Sequence, residues 1–173
     1  MNNKKRIHPL IFASKAIWLI VAMLVVFQIA KSFVSSNYSI LIDTQEERCI
    51  PEYSVYFQVK QFSEIKRDQI YVFKANGLEP FFEDGTRMGK YIIGVEGDTV
   101  EINAKGIFVN GLLKSTGLVL AEKLNRSIES FYTTYQIPEN KFFFMGTAER
   151  SYDSRYWGLA DLSQIKGEAI PLW

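Results

Sequence analysis

Lys90-Tyr91-Ile92-Ile93-Gly94-Val95-Glu96-Gly97-Asp98 sets a lysine at the mouth of a short β-rich run that breaks at a Gly-x-x-Gly-Asp turn. Tyr and Ile favour a pleated, buried strand, and paired glycines with an aspartate mark its end. A lysine at the lip of such a strand is usually exposed. If it is drawn inside, apolar surroundings favour its neutral form, and a neutral amine can act as a base. A second polar segment follows about sixty residues later: Ser151-Tyr152-Asp153-Ser154-Arg155-Tyr156-Trp157-Gly158.

Around these segments the chain reads as many short strands. Tyr53–Lys60 alternates in part, Gln69–Lys74 is β-rich and ends at Ala75-Asn76-Gly77, and Lys90–Gly94 forms the next strand. Thr99–Asn103 and Gly106–Val109 form a hairpin pair, with Asn110-Gly111 as the following turn. Lys141-Phe142-Phe143-Phe144-Met145 is an apolar run of strand length. Gly167–Trp173 suits a closing edge strand, where Pro171 is tolerated. Between Leu118 and Ser130 the spacing of Ala121, Leu124 and Ile128 fits either one short helix or a loop. The expected fold class is mainly β, with the aromatic fraction of 14% in keeping.

Ahead of the strands, Pro9 to Ala30 is interrupted only by Ser14, Lys15 and Gln28. A membrane-spanning helix needs roughly 20 apolar residues, and this run meets that length. The competing readings are a cleaved signal peptide and a buried core helix. Lys31-Ser32-Phe33-Val34-Ser35-Ser36 makes a poor cleavage site, which favours a retained anchor. Lys4, Lys5, Arg6 and Lys15 precede the span and Lys31 alone follows it. The positive-inside rule therefore puts the N-terminus in the cytoplasm. The expected organisation is a cytoplasmic flank over 1–15, a transmembrane anchor over 16–34, and an exported domain over 35–173. In a bacterium with two membranes the anchor lies in the inner membrane and the domain in the periplasm.

Composition excludes several functions. Twenty basic against nineteen acidic residues leave a net charge of +1, without the basic surplus of a nucleic-acid binder. One cysteine allows neither an intramolecular disulfide nor a multi-cysteine metal site, and no metal or other cofactor is expected. The single histidine, His8, precedes the span, across the bilayer from the folded domain. A hydrolase built here on a histidine base is therefore excluded, and the remaining base is a lysine.

The two opening segments together resemble the lysine-base and Ser-x-Asp-Ser-Arg boxes of the type I signal peptidase family, membrane-anchored proteases with a nucleophile–lysine dyad. The resemblance implies a signal-peptidase-type, β-barrel-like catalytic domain. It implies Lys90 as base, Ser151 as the hydroxyl that orients the amine, and an Asp153–Arg155 pair that stiffens the loop. Thr147-Ala148 replaces the family's usual Asp-Asn, and the stretch from Gly146 to Ser151 is one residue shorter than the common form. The family's nucleophile is a serine soon after the span, followed by proline. The branch that matures conjugative pilins carries Ser-x-Pro and then a short stretch ending in tyrosine. Cys49-Ile50-Pro51, with Val55-Tyr56 behind it, falls in that place, and a thiol is a chemically sensible replacement for the hydroxyl. Ser54 is the second candidate, on the other side of Pro51. The family often completes its oxyanion hole with a hydroxyl two residues before the nucleophile. Glu47 stands there and cannot donate when ionised, which leaves Cys49 N–H with Thr44 or Arg48.

The resulting expectation is a Cys49–Lys90–Ser151 peptidase acting on a pilin or preprotein substrate in the lipid membrane. An acyl-enzyme resolved by an amine would give a cyclic pilin. A general leader peptidase is the nearest alternative, disfavoured by small size because such enzymes often carry an extra β subdomain. A non-catalytic β scaffold of a pilus or secretion assembly is the alternative from another class. Oligomeric state stays open.

Overall fold

The computed structural model describes residues 9–173. Lys4, Lys5, Arg6 and His8, on which the orientation argument and the exclusion of histidine catalysis drew, lie outside them. The chain divides into two units, Met1–Tyr38 and Ser39–Trp173.

In the first unit one helix, α1 (Pro9–Asn37), carries the apolar run and continues beyond it to Asn37. Its 29 residues span about 43 Å at 1.5 Å each, enough to cross the ~30 Å hydrocarbon core of a bilayer. Its apolar window is exposed throughout, with Trp18, Leu19, Met23 and Phe27 all more than 60% accessible. That surface would be costly in water and is suited to lipid.

The second unit is built from β1 (Tyr38–Ile42), β2 (Val55–Val59), β3 (Gln69–Lys74), β4 (Arg87–Gly94), β5 (Thr99–Asn103), β6 (Gly106–Val109), β7 (Leu112–Ser115), β8 (Thr133–Gln136), β9 (Lys141–Met145), β10 (Ala160–Asp161) and β11 (Ile165–Pro171). One short helix, α2 (Ser154–Trp157), follows β9. Seven strands form a sheet in the order β1-β2-β11-β3-β4-β9-β10, and four form a second in the order β7-β6-β5-β8. The fold is mainly β with an N-terminal apolar helix, as the sequence suggested.

The β9 run Phe142-Phe143-Phe144-Met145 is apolar at every position because both faces of the strand are covered. Phe142 and Phe144 pack with Tyr71, Phe73, Met88 and Ile92 on one side. Phe143 and Met145 pack on the other with Val100, Ile102, Ile107 and Val109 of the second sheet. Burying each such side chain contributes about 1.5–3 kcal/mol, so this strand is the seam that joins the two sheets. The Gly-x-x-Gly-Asp turn after β4 is tied by the buried Asp98 carboxylate. It accepts from Val95 N (2.8 Å) and Asn110 Nδ2 (2.8 Å) and pairs with Arg67.

Two local expectations change. The C-terminal segment is not an edge: β11 lies between β2 and β3. Pro171 is accommodated there because β3 pairs only as far as Glu168, so no β3 carbonyl awaits its missing N–H. Of the two readings for residues 118–130, the loop holds: a series of turns runs into a 3₁₀ turn at Ile128–Phe131. The four-stranded sheet inserted between β4 and β9 is an additional β layer, which removes the size argument against a general leader peptidase.

Candidate active site

Three separate pieces of chain meet at one point. Cys49 lies in the irregular segment between β1 and β2, anchored by the buried side chain of Ile50. Lys90 projects from β4 and is fully buried. Ser151 sits on the loop between β9 and α2, 2% exposed. Lys90 Nζ is 2.8 Å from Cys49 Sγ and 2.9 Å from Ser151 Oγ, and it donates a hydrogen bond to each. A thiol, an amine and a hydroxyl in one hydrogen-bonded line can move a proton from sulfur to nitrogen while the hydroxyl fixes the amine's direction.

The backbone holds this line at both ends. Ala148 N donates to Cys49 O (3.1 Å), and Ser151 N donates to Ala148 O (3.1 Å), so the Cys49 segment is stitched to the serine loop. Thr147 Oγ1 donates to Glu52 Oε2 (2.7 Å) across the same seam. Gly146 makes the approach possible. A Cβ there would come within 2.4 Å of both Cys49 O and Ser151 Oγ, too close for any rearrangement short of separating the two segments. Gly146→Ala is expected to lower turnover at least about tenfold by displacing Ser151, with a smaller loss of stability. Steady-state kinetics beside a thermal melt would check it, and unchanged kcat would refute it.

Asp153 and Arg155 form a buried pair behind the loop. Arg155 Nε and Nη2 donate to Asp153 Oδ1 (2.7 Å) and Oδ2 (2.8 Å), a bidentate fork at 1% and 0% side-chain exposure. Arg155 Nη2 also donates to Ser151 O (3.0 Å), and Asp153 Oδ2 accepts from Gly146 N (3.0 Å). Phe144 N donates to Ser154 Oγ (2.8 Å), which binds the loop to β9. Asp153 further caps α2 by accepting from Arg155 N. Burial opposes the Arg155 charge, but the hydrogen bonds and charge of Asp153 outweigh it, and the guanidinium pKa is raised.

A cavity of about 330 Å³ opens beside the cluster, with Cys49 and Lys90 in its wall. Leu41, Ile50, Ile70 and Val72 give it apolar sides. Tyr56 also lines it. Burial, reinforced by the charge of Asp43, pushes the Tyr56 phenol up to about 12. Burial raises Tyr135, in the second sheet, to about 12 as well. A phenol whose pKa is raised on folding contributes stability below its unfolded value near 10, and loses it as pH climbs through the folded value. Alkaline unfolding is therefore expected between about pH 10 and 12, and tyrosinate absorbance should rise together with loss of β circular dichroism. Titration of these phenols near pH 10 with the fold intact would refute this.

Ser54, the second candidate nucleophile, donates its hydroxyl to Trp173 O (3.3 Å) and does not line the cavity. Glu47 forms an exposed ion pair with Arg150 (3.9 Å), whereas Thr44 lines the cavity. Sequence reasoning named Gly146 only as the start of the serine box, and missed the close approach it permits, the Thr147–Glu52 bond and Arg87, a further cavity residue. Gly146 had a visible signal, a glycine directly after an apolar strand and ahead of the serine loop.

Comparisons with known proteins place the chain as a whole in a family. The profile of the signal peptidase, peptidase S26, family matches residues 13–173. The chain is 33% identical over 120 residues to signal peptidase I of Bacillus amyloliquefaciens, covering 65% of this chain and 60% of the relative. It is 28% identical to the probable signal peptidase I-2 of Synechocystis sp. over 47% of this chain and 35% of that protein. It is 25% identical to thylakoidal processing peptidase 1 of Arabidopsis thaliana over 91% of this chain and 46% of that protein. The chain thus spans between about a third and three-fifths of the length of these curated relatives. A crystal structure of signal peptidase I from Enterococcus faecalis V583 is similar at 26% identity, with a TM-score of 0.40, over 62% of this chain and 98% of that one. With the family profile running from inside α1 to the last residue, the chain belongs to the signal peptidase, peptidase S26, family.

Proposed function

We propose that this protein is a membrane-anchored endopeptidase of signal peptidase type that works through a Cys49–Lys90 dyad with Ser151 as the orienting hydroxyl. The observation that carries the reading is the Sγ–Nζ separation of 2.8 Å at the wall of an open cavity. In the first step Cys49 Sγ attacks the scissile carbonyl carbon and its proton passes to Lys90 Nζ. As the tetrahedral adduct collapses, Lys90 returns that proton to the leaving amine, and a thioester remains on Cys49. Attack by water or by an amine then releases the acyl group and restores the thiol. Thr44 and the Cys49 N–H are the groups assigned to the developing oxyanion.

Within this reading the substrate is a conjugative pilin precursor. Support comes from Cys49-Ile50-Pro51 with Val55-Tyr56 behind it, and from thioester chemistry, since amines compete well with water for a thioester. The flank over 1–15 is assigned to the cytoplasm, 16–34 to the inner membrane and 35–173 to the periplasm. A general leader peptidase is the second reading, favoured by the inserted sheet of β5–β8. The test uses the full chain in detergent micelles with a pilin precursor and, separately, an exported preprotein. Cleavage together with a hydroxylamine-labile adduct mapped to Cys49 is expected. Cleavage that survives Cys49→Ala would overturn the thiol mechanism, and preprotein cleavage alone would overturn the pilin assignment.

A further inference from the structure

We propose that Arg87 determines specificity, selecting substrates that carry a carboxylate side chain a few residues from the scissile bond. The inference rests on the peptidase reading above. Arg87 opens β4, three positions before Lys90, and lines the same cavity as Cys49 and Lys90. Three strand positions correspond to about 10 Å, so a substrate stretched along the cavity would meet Arg87 roughly three residues from the bond being cut. The side chain is exposed, and among the described residues it has no hydrogen-bond or ion-pair partner. A structural arginine is normally engaged, as Arg155 is with Asp153. The other charged group in the wall besides Lys90 is Asp43, whose Oδ1 already accepts from Gln45 N (3.0 Å). Elsewhere the wall is largely apolar, which leaves the guanidinium as a free fork of donors facing the space a substrate would fill. A planar guanidinium matches a carboxylate bidentately, and a substrate lysine at the same place would meet like charge.

The test walks one Glu, Gln or Lys along fluorescein-labelled Ala/Ser dodecapeptides and measures binding to full-length Cys49→Ala protein in micelles. At one position the Glu peptide should bind about three- to fivefold tighter than the Gln peptide, the range of a solvent-accessible ion pair, and the Lys peptide weakest. Arg87→Glu should reverse that order, and about 0.5 M salt should compress it. Equal affinities, no measurable binding, a lysine preference set by Asp43, or an order unchanged in Arg87→Glu would overturn the proposal. Cleavage of the same peptides by the wild-type chain is followed in parallel. Cleavage without the charge order defeats the Arg87 assignment alone. An Arg87-dependent order without cleavage of any peptide defeats the peptidase reading and leaves the carboxylate site standing.

Discussion

Replacing Lys90 with methionine is expected to abolish precursor cleavage while leaving the fold intact. Methionine follows the lysine stem closely in length and is apolar, so it fills the space of a side chain that is 0% exposed. The amine is the group at hydrogen-bond distance from both Cys49 Sγ and Ser151 Oγ, and the substitution removes that link at its centre. Loss of a positioned general base typically costs about 10²–10⁴-fold in rate. Folding should be neutral or slightly improved, because a buried amine costs more to desolvate than a thioether. Ser151 loses one partner, and its backbone remains bonded to Ala148 and Arg155. The measurement is single-turnover cleavage beside a thermal melt. A Lys90→Met protein that melts like wild type and still cleaves within about threefold would exclude lysine as the base. Lys90→Arg serves as the control. It restores charge and hydrogen bonding in a crowded site but cannot lose its proton near neutral pH, so it should be as inactive as the methionine variant.

What the sequence revealed and what it hid have different physical causes. The helix α1 was legible because it is the one long apolar run in the sequence. The strands β3 and β9 were read with the bounds they have, since each is a dense β-branched or aromatic run closed by turn residues. The β5–β6 hairpin was equally clear, and Asn103 pairs with Gly106 where the turn residues required. The β1 strand was hidden because Tyr38-Ser39-Ile40-Leu41-Ile42 is short, follows the helix without a turn residue between them and is only partly buried. The β8 strand was hidden because Thr133-Thr134-Tyr135-Gln136 is mostly exposed and lacks a strong alternation. Neither is fixed by local preference; each forms because a neighbouring strand offers it an edge. The site follows the same division. Cys49, Lys90 and Ser151 were picked out by residue type and family-like spacing. That they meet within 2.8–2.9 Å depends on β4, β9 and the segment before β2 being brought together by the core. Arg87 carried no local signal, because a charged residue at a strand end is ordinarily just solvated.

The second large effect is expected at a residue that touches no substrate. Arg155→Leu should destabilise the β domain by about 3–5 kcal/mol, since it leaves the Asp153 carboxylate, at 0% exposure, with only the backbone N–H groups of Gly146 and of position 155 as donors. In a domain of this size that corresponds to a fall in melting temperature on the order of 10–20 °C. The raised Arg155 pKa means the pair is not titrated away by alkali below the ordinary guanidinium range, so the deficit should persist from neutral pH up to that range. The same substitution frees Ser151 O from the Arg155 guanidinium that holds the serine loop. Turnover should therefore drop even at temperatures where the variant remains folded, and the loss should appear in kcat more than in KM, because the cavity wall does not include Arg155. The double variant Asp153→Leu/Arg155→Leu separates the two roles. Removing both charges should recover part of the stability, because a buried ion pair can be replaced by apolar groups at modest cost. It should not recover turnover, because Gly146 N and Ser151 O would still lack the partners that hold the loop in register. Recovery of both together would mean that the pair matters only through global stability, and that Ser151 is positioned by the Ala148 turn alone.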